Sequence, residues 1–293
     1  MQFLSYLIGG ISLGSVYALI ALGYTMVYGI AKMLNFAHGD IIMVGGYMVY
    51  FTFCAHGLNP WLAVLFAMLV CTLLGMLIER VAYRPLREAT SLAVLITAIG
   101  VSFLLQNAAM LLWKSDPKSF TSIVSLDPLI LFGGDLRIPA ETIVTIGVSI
   151  LIMLVLIWFV QKTKLGHAMQ AVSEDRGAAQ LMGINVNGMI ALTFAIGSGL
   201  AAVAGALLLS SYPTLVPTTG AMPGIKAFVA AVFGGIGSIP GAFLGGILLG
   251  IIENLSKAYI STQLSDAIVF LVLIFVLLVK PTGLLGKKAT VKV

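Results

Sequence analysis

Polar residues that could contact a solute or a partner are rare in this chain, and the first group is the sequence NFAHGD at residues 35–40. It separates two apolar stretches and offers an amide, an imidazole and a carboxylate at Asn35, His38 and Asp40. Its spacing fits two interpretations equally well. The segment is either a short turn in which Asp40 caps the next helix, or an unwound piece of helix whose polar groups line a solute pathway.

Two ionisable residues lie within or beside apolar runs. Lys226 precedes AFVAAVFGG, and Glu253 follows LLGII. A charge within a bilayer is costly, so each side chain should face protein or water, or reach the membrane surface. For Lys226 the membrane surface and a pathway are equally good interpretations, and the position of Glu253 near a helix end leaves both open as well. The translocation-pathway candidates are therefore Asn35, His38, Asp40, Lys226 and Glu253.

A third group occupies the polar stretch at residues 162–188. Ser173 is the expected helix cap, Glu174 and Asp175 would form an acidic first turn, and Gly183 stands where a helix commonly ends. We therefore expect one short amphipathic helix here.

The apolar stripe of that helix, formed by Ala178, Ala179, Leu181 and Met182, needs a surface to cover it. The stripe would pack on the protein's own helix ends or on lipid, or dock into a groove of a cytoplasmic partner. Its low aromatic content and mixed flanking charge favour a protein partner. The docking candidates are Ser173, Glu174, Asp175, Arg176, Leu181, Met182 and Gly183.

Signatures of enzymes and cofactors are absent from the sequence. There is no GxxxxGK[ST] motif, so ATP is not bound by a P-loop of this chain. His38, His56 and His167 lie in separate segments without an HExxH motif or a Cys/His cluster, which argues against a metal. The net charge of +5 is typical of basic cytoplasmic loops in a membrane protein, so no nucleic acid is expected. We expect a protein that is not an enzyme and carries neither metal nor cofactor.

Composition identifies the surroundings of these residues. Of the 293 residues, 60% are hydrophobic and only 9% are charged, whereas a soluble domain carries about 25% charged residues. So few charges cannot cover a water-facing surface, so the apolar residues must face membrane lipid. The apolar runs do not alternate as barrel strands do. The sequence predicts an all-α, polytopic transmembrane helix bundle.

The bundle is predicted as a single transmembrane domain over residues 1–293 with about eight or nine membrane segments, since a spanning helix needs about 20 mostly apolar residues. One segment is unusual, because a short apolar stretch is followed by the helix-breaking sequence GGIGSIPG. This part, near residues 227–240, is predicted to be a half-helix or re-entrant piece. The predicted segments are 4–30, 41–53, 61–78, 92–113, 142–160, 189–209, 227–233, 241–255 and 267–279.

The distribution of Lys and Arg predicts the orientation, because basic residues accumulate on the cytoplasmic side. With the N-terminus outside and each segment crossing once, eleven of the 16 Lys and Arg residues fall inside, and Lys287, Lys288 and Lys292 are among them. The outer connection between Lys114 and Glu141 is net acidic. We therefore expect the N-terminus outside and the C-terminus inside, with residues 162–188 as a cytoplasmic loop.

Four motifs also occur in the order in which one family of membrane proteins carries them. They are NFAHGD at 35–40, preceded by LGYTMVYGI, then SEDRGAAQLMGINV at 173–186, PGIKAFVAAVFGGIGSIPGAFLGG at 223–246 and KPTGLLGK at 280–287. In these motifs the chain resembles the permease subunits of bacterial branched-chain amino acid ABC importers, and among the two paired permeases it resembles the first, or H type. The resemblance spans nearly the whole chain.

The resemblance implies a multi-pass subunit of the bacterial cytoplasmic (inner) membrane. Its implied partners are a second related permease, two cytoplasmic ATPase subunits and an extracytoplasmic binding protein for leucine, isoleucine and valine. It places a coupling helix for an ATPase subunit within residues 173–186. It also places Asn35, His38 and Asp40 at a broken helix near the solute pathway.

Other functions remain open at this point. Relatives with similar motifs import amides or urea. An ion-coupled secondary transporter would favour carboxylates in mid-membrane, and Glu253 is the one serious candidate. An intramembrane enzyme would need paired catalytic groups within its helices, and the sequence shows none.

Overall fold

The structure, a computed structural model, describes residues 2–131 and 136–286. Most of these residues lie in α-helices. The helices are α1 (Gln2–Ala31), α2 (His38–Val49), α3 (Pro60–Ile78), α4 (Ser91–Trp113), α5 (Ala140–Lys162), α6 (Lys164–Glu174), α7 (Arg176–Leu181), α8 (Val186–Ser211), α9 (Ala221–Gly234), α10 (Ile239–Tyr259) and α11 (Ser265–Val279).

Short irregular elements extend or join these helices. A π-helical turn (Tyr50–Ala55) continues α2, and a second (Glu79–Tyr83), followed by a 3-10 turn (Arg84–Leu86), continues α3. Four strands of two or three residues form two antiparallel pairs: β1 (Lys118–Ser119) with β4 (Thr214–Leu215), and β2 (Leu129–Leu131) with β3 (Leu136–Ile138). They lie in the connections that follow α4 and α8, so the framework itself is helical.

The centre of the bundle is built from α1 and α8, whose residues are mostly buried. Small residues allow the backbones to approach closely, which is how helices associate in lipid. At the crossing of α1 and α10, a Cβ on Gly14 would lie 2.7 Å from the Cα of Ile247, so only glycine fits there. Packing of this kind rests on contact between backbones and leaves little room for substitution.

Helices α4 and α5 lie at the periphery, because only three residues of α4 and five of α5 are buried. Within the described residues, six helices are long and apolar enough to cross a membrane, and two shorter apolar helices, α9 and α11, accompany them. The expected all-α polytopic bundle is therefore present.

The break predicted at residues 234–241 is found between α9 and α10. Gly235 (φ 106°) and Gly237 (φ 93°) adopt left-handed conformations that favour glycine. The preceding helix is longer than predicted, because it begins at Ala221 and not near residue 227.

The prediction of one short helix between residues 162 and 188 was wrong. Helix α5 runs to Lys162, α6 follows after Thr163, and α7 is a separate helix that begins at Arg176. The expectation that Lys287, Lys288 and Lys292 lie inside concerns residues beyond the described part of the chain.

Candidate functional site

The NFAHGD segment joins α1 to α2 through a stretch of backbone that is not helical. Helix α1 ends at Ala31, Lys32 has φ 55°, and the chain becomes helical again only at His38. Asn35, His38 and Asp40 are all buried, with exposures of 1–2%. Six residues without helical structure thus place three polar side chains inside the bundle.

Each of these side chains faces a different helix. The hydroxyl of Tyr83 donates to Oδ1 of Asn35 at 2.9 Å, and Nε2 of Gln106 on α4 donates to Oδ1 of Asp40 at 2.9 Å. The ring of His38 packs edge-on against Tyr24 of α1, with 4.7 Å between the centroids. The connection is thereby fastened to α1, to the end of α3 and to α4.

The alternative in which Asp40 caps α2 was wrong. The N-cap position is Ala37, which has no side-chain hydrogen bond, and Asp40 lies in the first turn with its carboxylate directed to Gln106. Within residues 2–131 and 136–286, Nδ2 of Asn35 and Nε2 of His38 have no hydrogen-bond partner. Buried polar atoms without a protein partner usually contact water or a ligand.

Lys226 and Glu253, predicted separately, form an ion pair in the interior. Nζ of Lys226 lies 2.8 Å from Oε1 of Glu253, and their side chains are 7% and 1% exposed. Nζ of Lys257 reaches the same oxygen at 2.6 Å, and the hydroxyl of Tyr17 donates to Oε2 at 2.9 Å. Lys226 also contacts Oδ1 of Asp266 at 2.6 Å. We call these five residues the ion network; it ties together α1, α9, α10 and α11.

A cavity of about 220 Å³ reaches the ion network. Tyr17, Lys226, Glu253 and Lys257 lie in its wall, beside residues of the connection between α8 and α9 and of the first turn of α9. The network therefore borders a space that water or a small solute can enter.

Helix α9 lies between the two groups of pathway candidates. A Cβ on Gly224 would lie 2.7 Å from the Cα of Gly39, so the first turns of α9 and α2 touch. Two residues further on, Lys226 enters the ion network. The structure does not join Asn35, His38 and Asp40 to Lys226 and Glu253 by direct hydrogen bonds among the described residues, but the same short helix contacts both groups.

The predicted docking residues are divided between two helices. Ser173 does not cap a helix: it lies in the last turn of α6, and its hydroxyl donates to the carbonyl of Gln170. The cap of α7 is Asp175, whose Oδ1 accepts from the N–H of Ala178 at 3.0 Å. Glu174 ends α6, so the expected acidic first turn was also wrong.

Helix α7 ends where the sequence predicted a helix end. Gly183 has φ 81°, and the N–H of Ile184 bonds to the carbonyl of Ala179, a pattern typical of a helix that ends at glycine. The expected apolar stripe does not face the bundle, because Leu181 is 90% exposed and Met182 is 81% exposed. Ala179 alone of the predicted stripe is buried.

Arg176 attaches this helix to the bundle. Its guanidinium donates to the carbonyl of Ala31 at the end of α1. Burial, and to a lesser extent the charge of Arg87, lower the pKa of Arg176 from its ordinary value. Arg87 in turn pairs with Glu79 and donates to Asn187 at the start of α8.

Several contributors to these sites were not found from the sequence. Tyr17 and Gln106 lie in apolar helices and Tyr83 lies in the π-helical turn after α3, and no local pattern marks any of them. The pair of Glu79 and Arg87 does have a signal, since Glu79 follows a long apolar run just as Glu253 does.

Comparison with known proteins shows which family the chain belongs to. The family model described as "Branched-chain amino acid transport system / permease component" matches residues 6–277. The chain belongs to this family. The match covers both groups of pathway candidates and the predicted docking residues.

Individual relatives match over the full length. The permease protein LivH of the high-affinity branched-chain amino acid transport system of Salmonella typhimurium is 44% identical, with 100% of this chain and 98% of LivH covered. LivH of Escherichia coli is 45% identical with the same coverage. BraD of Pseudomonas aeruginosa, a permease of the same kind of system, is 44% identical, again over 100% and 98% of the two chains. The permease interpretation and the membrane location predicted from the sequence are confirmed.

Proposed function

We propose that this chain is the H-type permease subunit of an ABC importer that carries branched-chain amino acids across the bacterial cytoplasmic membrane. The observation that carries this proposal is the 44–45% identity, over the whole chain, to permeases of branched-chain amino acid transport systems. The proposed partners are a second related permease, two ATPase subunits that supply the energy, and an extracytoplasmic binding protein.

The ion network favours this proposal over an ion-coupled secondary transporter. Coupling to an ion requires a carboxylate that can bind and release it, and Glu253 was the candidate. Both of its oxygens are already engaged, by Lys226, Lys257 and Tyr17. A buried carboxylate held in this way is poorly suited to exchanging a proton or a sodium ion.

The proposed topology has nine membrane segments in a single domain, with the N-terminus outside. Helices α1 to α5 and α8 to α11 would each cross once, with α9 as the short segment. Residues 162–188 would then form the cytoplasmic coupling loop, in which α6 and α7 lie at the membrane surface. This arrangement is supported by the eleven basic residues that it places inside.

Within this topology, α7 is proposed as the coupling helix that docks on an ATPase subunit. Leu181 and Met182 expose apolar side chains at its end, and Arg176 fixes its start to α1. Displacement of α7 would therefore act on the end of α1 and on the polar connection that follows. The proposed pathway residues are Asn35 in that connection, His38 and Asp40 in the first turn of α2, and Lys226 and Glu253 beside the cavity.

Leu181→Asp tests the docking role. Truncating an anchor at an interface hot spot costs about 2 kcal/mol or more, and an added charge should cost more than Leu181→Ala. We expect normal abundance in the membrane, because Leu181 is 90% exposed and supports no packing in this chain. Co-purification of the ATPase subunits and leucine uptake should both fall.

Leu165→Asp is the matched control, because Leu165 is an exposed leucine on the neighbouring α6. It should leave ATPase binding and uptake intact. If Leu181→Asp retains both, α7 is not the coupling helix. If Leu181→Asp removes the protein from the membrane, its side chain supports the fold and the docking role is wrong.

A further inference from the structure

A second cavity, of about 610 Å³, lies near the opposite end of α1 from the N-terminus. It opens between Ala31, the connection from α3 to α4 and the first turn of α4. Lys32, Arg87 and Arg176 lie in its wall, and none of the described residues that line it is Asp or Glu. We call it the basic cavity. Its charge suits an anion.

The two arginines lie close enough to repel each other, and one of them is incompletely hydrogen-bonded within the described residues. Arg87 pairs with Glu79 through one terminal nitrogen, but its Nε–H is buried and has no partner within residues 2–131 and 136–286. The charge of Arg87 also contributes to the lowered pKa of Arg176, so the two guanidinium groups repel each other. An anion between them would relieve this repulsion.

The first turn of α4 adds to the positive field. This helix has 23 residues, and its start at Ser91 and Leu92 lies in the wall of the cavity. The side chain of Thr90 accepts one N–H, that of Ala93. The remaining N–H groups of the first turn carry the partial positive charge typical of helix N-termini, where phosphate groups bind.

An apolar track leaves the cavity along α4. Leu92, Ile96, Ile99 and Phe103 recur at helical spacing on one face and are 43–63% exposed. A fatty-acid chain would find a continuous apolar surface there. A soluble anion would make no contact with this surface, so the track favours a lipid as the source of the anion.

We propose that the basic cavity binds the phosphate of an anionic phospholipid from the inner leaflet, with an acyl chain along α4. The proposal rests on the orientation given above, which puts this end of α1 at the cytoplasmic face. Basic pockets between helices on that side are typical binding sites for anionic headgroups. The lipid phosphate would then contact Arg176 at the start of α7 and Arg87, which donates to Asn187 at the start of α8. It would thus bind at both ends of the segment that contains α7.

Native mass spectrometry of the purified transporter tests the proposal. It would be titrated with dioleoylphosphatidylglycerol and with dioleoylphosphatidylcholine, which share their acyl chains and differ in headgroup charge. We expect tighter binding of phosphatidylglycerol. The double variant Lys32→Gln/Arg176→Gln should weaken that binding about 25-fold, since each basic residue near a membrane surface contributes about fivefold, and should leave phosphatidylcholine binding unchanged.

Arg84→Gln is the matched control, because Arg84 is exposed in the same connection but is not part of the cavity wall. Arg87 is left intact because its removal would leave the buried carboxylate of Glu79 without its ion-pair partner. Equal binding by the double variant and the wild type, or an equal loss with Arg84→Gln, would overturn the proposal. Competition by inorganic phosphate or glycerol 3-phosphate as strong as that by the lipid would also overturn it, in favour of a soluble anion. Failure of the proposed import function would appear as absent leucine uptake, which these mass shifts do not depend on.

Discussion

Replacement of Lys226 by Met tests whether the ion network holds the bundle together. The change removes one of three partners from Glu253, whose side chain is 1% exposed, and leaves Lys257 and Tyr17 in place. Breaking a buried ion pair by removing one partner costs about 3–5 kcal/mol. Because two partners remain, we expect the lower end of that range, about 3 kcal/mol. Loss of the contact with Asp266, which is 43% exposed, should add little.

A double-mutant cycle separates the ion pair from the general effect of losing Lys226. Glu253→Gln keeps an acceptor for Tyr17 and leaves Lys226 paired with Asp266, so it should cost about 2 kcal/mol, as for a lost hydrogen bond to a charged group. Combining the two changes removes both buried charges. The double variant should therefore be more stable than Lys226→Met alone, because the stability effects of substitutions at contacting residues do not add.

Cys71 provides the assay, because its thiol is buried and not in a disulfide. In a Cys54→Ser background, a thiol-reactive dye labels Cys71 only when the bundle opens. A loss of about 3 kcal/mol should raise the labelling rate about 100-fold. Lys164→Met, an exposed lysine of α6, serves as the control. If Lys226→Met labels no faster than this control, or if the double variant labels fastest, the account of the ion network is wrong.

Two further predictions concern the polar connection and the topology. Tyr83→Phe removes the hydrogen bond to buried Asn35, so it should destabilise the bundle by about 1–3 kcal/mol and reduce leucine uptake. If the labelling rate of Cys71 and the uptake are both unchanged, this contact does not stabilise the bundle. Single cysteines at positions 84 and 176 should react with a membrane-impermeant reagent only from the cytoplasmic side, and one at position 127 only from outside. Labelling of position 176 from outside would reverse the proposed orientation.

The helical framework could be predicted because apolar runs of sufficient length have few alternatives in lipid. The break after Gly234 was visible for the same reason, since glycine and proline interrupt such a run. The residue that caps each helix was harder to predict. Ser173 and Asp175 are both good N-caps, and tertiary packing of α6 decided between them.

Pairing between polar side chains of distant helices could not be predicted from the sequence. Lys226 and Glu253 were each recognised as costly charges, but their pairing depends on how α9 packs on α10. Tyr17 lies 236 positions from Glu253 and has no local pattern to mark it. One of the two interpretations of residues 35–40 made Asp40 the cap of its own helix, whereas its partner Gln106 belongs to α4. Polar residues in a bundle find partners on neighbouring helices, and one sequence does not specify those neighbours.

We expect this chain to transport branched-chain amino acids only with energy from separate ATPase subunits. The direct measurement is uptake of radiolabelled leucine into proteoliposomes that contain this chain, its partner permease and the ATPase subunits, with ATP inside and the liganded binding protein outside. The account predicts uptake that stops when ATP or the ATPase subunits are omitted. Robust uptake by this chain alone, driven by a proton or sodium gradient, would contradict it.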